Sequence, residues 1–253
     1  MISFSEAELL AWVTPFIWPF IRALALFSAM PVLGTRVVPN RVRIGLAALI
    51  VLAAQPSLPA MPQVPLDSAL AFMLIVQQVL VGVALGFAVR LAFTAIEFAG
   101  ELVGLQMGMN FAAFFDPLSA STATSTSRFF GTCISWLFIV MGGHLMIVAA
   151  LVKSYTAFPV GNEPFAFLRQ TQPQVWGAEI FATGLWIALP LITMLLLVNL
   201  VLGVISRVAP QINVFAIGFP ITLGVGLLGI LITLPALQAP FTMVLERMLM
   251  HFQ

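Results

Sequence analysis

Between Gly100 and Phe130 the chain reads GELVGLQMGMNFAAFFDPLSASTATSTSRFF, and the pattern changes three times within it. Gly100, Gly104 and Gly108 come first, at four-residue spacing. On a helix they fall near one face and let another backbone approach closely. Met107, Met109, Phe111, Phe114 and Phe115 follow as a dense apolar cluster. Asp116-Pro117 then predicts a helix stop, because the residue before proline is pushed out of the α region. A tract of Ser, Thr and Ala runs on with no charge until Arg128. An apolar cluster beside a polar, flexible tract suits a movable plug. It suits equally an ordinary loop whose rings and thioethers fill a core.

Long apolar runs lie on either side. The chain is 61% hydrophobic and only 8% charged, against roughly 25% charged residues in soluble domains. It therefore belongs in a bilayer or in an assembly with equally apolar surroundings. A net charge of +1 offers no argument for nucleic acid. The single Cys133 excludes an internal disulfide, and His144 and His251 are far apart. No metal-ligand spacing, nucleophile motif or phosphate loop is present, so we expect no catalytic, cofactor-binding or metal residues and no enzyme activity. The start, MISFSEAELL, carries Glu6 and Glu8 and lacks a basic n-region, which argues against a cleavable signal.

Six apolar segments predict an all-α fold of polytopic, membrane-type helical hairpins with proline-broken helices. The first, 9–33, can be capped by Ser5 with Glu8 as a capping box. Pro15 and Pro19 inside it predict an irregular helix. Arg22 also lies inside it; an intramembrane arginine is a functional candidate, or it pairs with an acid or snorkels. Arg36, Arg41 and Arg43 occupy the first loop, and a short segment follows at 44–54. Pro56, Pro59, Pro62 and Pro65 then recur at the polyproline II period, predicting an extended spacer. The third segment, 66–89, contains Gly82 and Gly86 in a helix-packing spacing. Its pattern runs on to Met109, about 44 residues or roughly 66 Å at 1.5 Å per residue, against a bilayer core of about 30 Å. Glu97 and Glu101 share one face at i, i+4; this is mildly unfavourable unless cations from elsewhere meet them or the face is solvated.

The fourth segment, 129–152, contains Gly142-Gly143-His144, and turn signals at Asn162-Glu163-Pro164 and Gln172-Pro173 mark the loop after it. Segments 176–205 and 212–245 make a hairpin. Its tip includes Arg207, Pro210, Gln211 and Asn213, and Pro190, Pro220 and Pro235 interrupt its arms. If all six segments crossed, the arginine bias would place Arg36, Arg41, Arg43, Arg90, Arg128 and Arg207 in the cytoplasm and both termini outside.

The run Asn199-Leu200-Val201-Leu202-Gly203, then Arg207 through Phe215, then Gly218-Phe219-Pro220, resembles the FliR family, flagellar biosynthetic proteins of the type III export gate. Gly104 to Gly108, Asp116-Pro117, Gly143-His144, Pro31-x-x-Gly34 and Arg41-Val42-Arg43 fit the same pattern, so the resemblance covers essentially the whole chain. Injectisome relatives share it; the flagellar reading fits better.

The resemblance implies a place beside FliP-like and FliQ-like subunits in a right-handed helical pore of the bacterial inner membrane, at the flagellar basal body. Much of that assembly stands above the bilayer plane, with an FlhB-like gate protein docked outside. Unfolded export substrates pass through towards the rod proteins. It implies a FliP-like part over 1–175, with a central plug loop at 106–127, and a FliQ-like hairpin over 176–253. Met107, Met109, Phe111, Phe114 and Phe115 become the pore plug. Arg22, Glu97, Glu101 and Arg207 become charges meeting partners across subunit boundaries. Arg207, Pro210, Gln211 and Asn213 become a partner-facing tip. Gly82, Gly86, Gly100, Gly104 and Gly108 become helix-packing positions. The alternative is a small-solute or ion transporter using Arg22, Glu97, Glu101 and His144.

Overall fold

A computed structural model describes residues 6–35, 37–109, 124–161, 167, 176–211 and 214–252. Phe111, Phe114, Phe115, Asp116-Pro117, Asn213, Ser5, Arg36 and the turn signals at 162–164 and 172–173 lie outside them. The described residues form helices without a strand: α1 (Glu6–Ala29), α2 (Asn40–Ala54), α3 (Ala69–Gln106), α4 (Ser125–Val140), α5 (Gly143–Ala157), α6 (Trp176–Val208), α7 (Val214–Thr233) and α8 (Gln238–Met250). The all-α expectation holds.

The count of crossings differs from six. Among the described residues four helical stretches are long and apolar enough to cross a membrane, and a fifth is gained if α4 and α5 count together. The segment expected at 44–54 is α2, which at 15 residues is about 22 Å long and falls short of an apolar core of about 30 Å. The segment expected at 129–152 is two helices, bent by 70°. Its break is Gly142, which takes φ +71, a conformation that side chains rarely adopt. Sidedness read from six alternating loops therefore has no basis in this count.

The chain forms two compact units, each discontinuous in sequence: residues 1–91, 138–176 and 245–253 in one, and 92–137 and 177–244 in the other. In the first, α1 remains one helix across Pro15 and Pro19. The Tyr155 hydroxyl donates to the Pro19 carbonyl at 2.9 Å. Gly82 and Gly86 of α3 bring it against Ala25 and Ala29 of α1, a small-residue pair at the same spacing. A Cβ on Gly82 would lie 2.4 Å from the Arg22 carbonyl oxygen, and one on Gly86 would lie 2.7 Å from the Ala29 Cβ. The proline-rich linker is seated: Trp18 Nε1 donates to the Pro62 carbonyl at 3.2 Å, and Val64 packs with Trp18, Ala71 and Leu74.

In the second unit, α6 and α7 are held by the same device. A Cβ on Gly229 would lie 2.4 Å from the Met194 Cε and 2.6 Å from the Leu191 Cδ2. Gly184 admits Phe98 and the Ala95 carbonyl, and Phe98 meets Phe181 edge-on at 5.3 Å. Trp186, Leu200, Leu228 and Ile232 remain exposed on this chain, as expected of surface meant for lipid or other subunits.

Candidate functional site

The end of α3 and the start of α4 bracket the stretch that the sequence singles out. Helix α3 ends at Gln106 by a glycine cap, well before Asp116-Pro117. Gly108 takes φ +78; the Met109 amide donates to the Gly104 carbonyl at 3.0 Å and the Gly108 amide to the Leu105 carbonyl at 3.1 Å. This pairing is the Schellman closure, with glycine in the left-handed position. Gly108 is thus a helix terminator, a correction to its expected role in helix packing. Gly100 and Gly104 do pack closely: added Cβ atoms there would lie 2.9 Å from the Phe130 ring and 2.1 Å from the Thr126 hydroxyl.

Beyond the cap, Met107 is fully buried. It fills the space left by Gly226 of α7, whose added Cβ would fall 2.5 Å from the Met107 Cγ. The Thr222 hydroxyl reaches the Met107 carbonyl at 3.5 Å. Met109 is partly exposed and lines an apolar cleft of about 410 Å³ with Phe129, Leu227 and Ile230. Met107 is therefore core in this chain, and of the expected plug residues described it is Met109 that borders open space.

The two acids have work inside the chain. The Glu101 carboxylate accepts from the Thr124 amide at 3.1 Å and from its hydroxyl at 2.9 Å. Thr124 in turn caps α4, its hydroxyl oxygen accepting from the Ser127 amide at 3.1 Å. Ser127 donates to the Glu97 carbonyl at 3.0 Å, and the Glu97 carboxylate lies over Gly131. The Glu101 carboxylate thus lies at the start of α4, where the helix dipole presents partial positive charge. For Glu101 a helix start supplies a partner within the chain.

Arg22 also meets partners within the chain. It is fully buried and its guanidinium donates to Gln78 Oε1 at 2.8 Å, to the Ser154 carbonyl at 2.6 Å, to the Ser154 hydroxyl at 3.0 Å and to the Phe158 carbonyl at 2.8 Å. It also lies 4.3 Å from the centre of the Tyr155 ring. Gln78 passes its own amide to Gln77 Oε1 at 3.0 Å, and Gln77 donates to the Pro159 carbonyl at 3.3 Å. A buried cation satisfied by neutral oxygens and a ring face is a structural centre that ties α1, α3 and α5 together. Sequence reasoning missed Gln77, Gln78, Ser154 and Tyr155. The signal was available in two adjacent glutamines inside an otherwise apolar run.

Arg207, Pro210 and Gln211 are exposed at the end of α6, and Arg207 stands in its last turn, where a cation complements the dipole. His144 is exposed at the start of α5. Of the groups proposed for a transporter, Arg22 and His144 belong to one compact unit and Glu97 and Glu101 to the other.

Proline- and glycine-interrupted helices of spanning length, a sealed cationic centre and broad exposed apolar faces define a polytopic helical membrane protein. Residues 13–248 match the model of the bacterial export proteins, family 1, and the chain belongs to that family, the family of FliR. It is 45% identical over 244 residues to the flagellar biosynthetic protein FliR of Escherichia coli (strain K12), an alignment covering 95% of this chain and 92% of that protein. It is 43% identical to the protein of that name from Pectobacterium carotovorum subsp. carotovorum, with the same coverage. Against the one from Bacillus subtilis (strain 168) it is 27% identical, covering 86% of this chain and 85% of the relative.

Proposed function

We propose that this chain is a structural and gating subunit of the flagellar type III protein-export apparatus in the bacterial inner membrane. It performs no chemistry of its own. It assembles with FliP-like and FliQ-like subunits, a FliP-like part at 1–175 preceding a FliQ-like hairpin at 176–253. An FlhB-like protein docks at the tip formed by Arg207, Pro210, Gln211 and Asn213. Unfolded substrates pass through the pore towards the rod, and part of the assembly stands above the bilayer. Membership of the export family favours this over a solute transporter.

The observation that carries the gating role is the pair of anchors around residues 110–123. On one side stand the Gly108 cap and the Met107 wedge against Gly226. On the other side Glu101 holds Thr124. Between these anchors in the sequence Phe111, Phe114 and Phe115 supply an adaptable apolar seal. Replacing Phe111 and Phe114 together by alanine should leave assembly yield unchanged and make the membrane leaky to ions. Loss of the complex without leakage would make these rings ordinary core and place the gate elsewhere.

A further inference from the structure

Two sequence motifs outside the gating stretch, Pro31-x-x-Gly34 and Arg41-Val42-Arg43, meet at the corner between α1 and α2. Val32 takes φ +65 there, the one non-glycine residue with a positive φ among those described. Across it the Leu33 amide donates to the Pro31 carbonyl at 2.7 Å. A bond between residues two apart around a positive φ is the rare and strained form of the γ-turn. A β-branched side chain raises the cost further, because both of its γ-methyls crowd the backbone. Glycine would fill this position without strain. A residue that disagrees with its own backbone persists only where the surroundings over-determine it, and such positions recur at switch regions.

Two sets of contacts hold the corner in this shape. Gly34 lies directly on the end of α1: its amide donates to the Met30 carbonyl at 2.9 Å, and an added Cβ would strike that oxygen and lie 2.8 Å from the Ser28 carbonyl oxygen. Arg43 reaches back from α2 and donates to the Thr35 carbonyl and, at 3.4 Å, to Asn40 Oδ1. The Thr35 hydroxyl in turn donates to the Val32 carbonyl at 3.0 Å. A chain of hydrogen bonds therefore runs from α2 to the strained residue. The grip is incompletely satisfied, since Arg43 Nε is buried and, among the described residues, has no hydrogen-bond partner. Helix α2 is itself lightly held. Of its 15 residues Ala47 and Val51 are buried, and a Cβ built on Gly45 meets nothing within 4 Å. A cleft of about 380 Å³ is lined by Phe16 and Phe20 of α1 and by Ala48 and Leu52 of α2. Few buried side chains are what an element needs if it is to open locally.

We infer that α2 is a hinged strap, with Val32 as its spring and Arg43 as its latch. While Arg43 holds Thr35, the corner stays strained and α2 lies on α1. When that grip is lost, Val32 relaxes to negative φ and α2 lifts. Spring and latch oppose each other, so the two positions lie close in free energy, as a two-state element requires. At its other end α2 leads into the proline-rich linker, whose anchor, the hydrogen bond from Trp18 to the Pro62 carbonyl, stands well beyond the helix. The strap can therefore lift without unseating the linker. The device is independent of the gating role and stands or falls separately.

The test is maleimide labelling of the full-length protein in detergent, read peptide by peptide by mass spectrometry so that Cys133 does not interfere. Two reporters are compared, Ala47→Cys in α2 and Ala150→Cys in α5, both at fully buried positions. Ala47→Cys should label at least about tenfold faster than Ala150→Cys, because α2 lifts without unfolding the rest. Val32→Gly should slow labelling of Ala47→Cys about tenfold, the weight of strain at one such residue. Val32→Ala, which loses the γ-methyls but keeps Cβ, should slow it less. Arg43→Gln should speed it about tenfold, and combining Arg43→Gln with Val32→Gly should bring it back towards the parent rate. An unchanged or faster rate in Val32→Gly would remove the spring, an unchanged rate in Arg43→Gln would remove the latch, and either would overturn the inference. So would equal labelling of the two reporters in the parent, since α2 would then open only with the whole fold. If Arg43→Gln fails to fold, Val32→Gly decides alone, because glycine adopts φ +65 without strain.

Discussion

A single methyl group should have opposite effects at two glycines of the same compact unit. At Gly82 the new Cβ would stand 2.4 Å from the Arg22 carbonyl oxygen, 2.8 Å from the Ala25 Cβ and 3.1 Å from the Leu26 amide nitrogen. Two of these atoms are backbone and cannot rotate away, so Gly82→Ala must push α1 and α3 apart. Overpacking of this kind costs about 1–3 kcal/mol. The same displacement stretches the 2.8 Å hydrogen bond between Arg22 on α1 and Gln78 on α3, and a hydrogen bond to a charged group contributes about 1.5–3 kcal/mol. Against this stands the better helix propensity of alanine, about 1 kcal/mol. The net destabilisation should be roughly 2–4 kcal/mol. At Gly45 only the propensity gain applies, and Gly45→Ala should stabilise by up to about 1 kcal/mol. Thermal unfolding of the two variants and the parent, followed by circular dichroism in one detergent, measures the difference in sign. If Gly82→Ala unfolds no earlier than the parent, the two helices do not pack through bare backbone and the reading of Gly82 and Gly86 fails.

Two further substitutions probe the internal polar centres. Arg22→Met should cost about 3 kcal/mol or more, because the buried Gln78 and Phe158 oxygens lose the guanidinium and Ser154 loses two of its hydrogen bonds; Arg22→Lys should recover only part of this, lacking the guanidinium fork, and the unfolding midpoint orders the three proteins. Glu101→Ala should cost about 1–2 kcal/mol by releasing Thr124, and hydrogen exchange should accelerate at Thr124 to Ser127 in particular, whereas an acid that matters only between subunits would leave those amides unchanged.

Periodicity and spacing identified what is local. The close approach at Gly82-x-x-x-Gly86 and the overlong third helix are patterns within one segment and are present in the fold, whereas α6 and α7 run on through Pro190 and Pro220, so that of the three hairpin prolines Pro235 alone marks a break. Helix ends were legible only where their chemistry is unambiguous. Gly108 and Asp116-Pro117 both signal a stop, and the fold uses the first it meets. Gly142 is likewise a left-handed position hidden inside an apolar run, and one φ value there turns a continuous span into a bent pair.

Arg22 and Glu101 were the least legible because the partners seen for them are not charges. An arginine or glutamate in an apolar sequence invites a search for the opposite sign, and an empty search suggests another subunit. Coulomb pairing is only one way to satisfy an ion. Arg22 takes four oxygens from residues 56, 132 and 136 positions away along the chain, together with the face of a ring. Two of those oxygens are main-chain carbonyls, which exist at every position and so leave no trace in the sequence. Both lie at the end of α5: the Phe158 carbonyl is beyond the helix, and the Ser154 carbonyl accepts the guanidinium beside the Phe158 amide. Glu101 uses the complementary end: the Thr124 amide at the start of α4, where donors are in excess. In a chain with 8% charged residues, helix ends take over much of the electrostatic role of counter-ions.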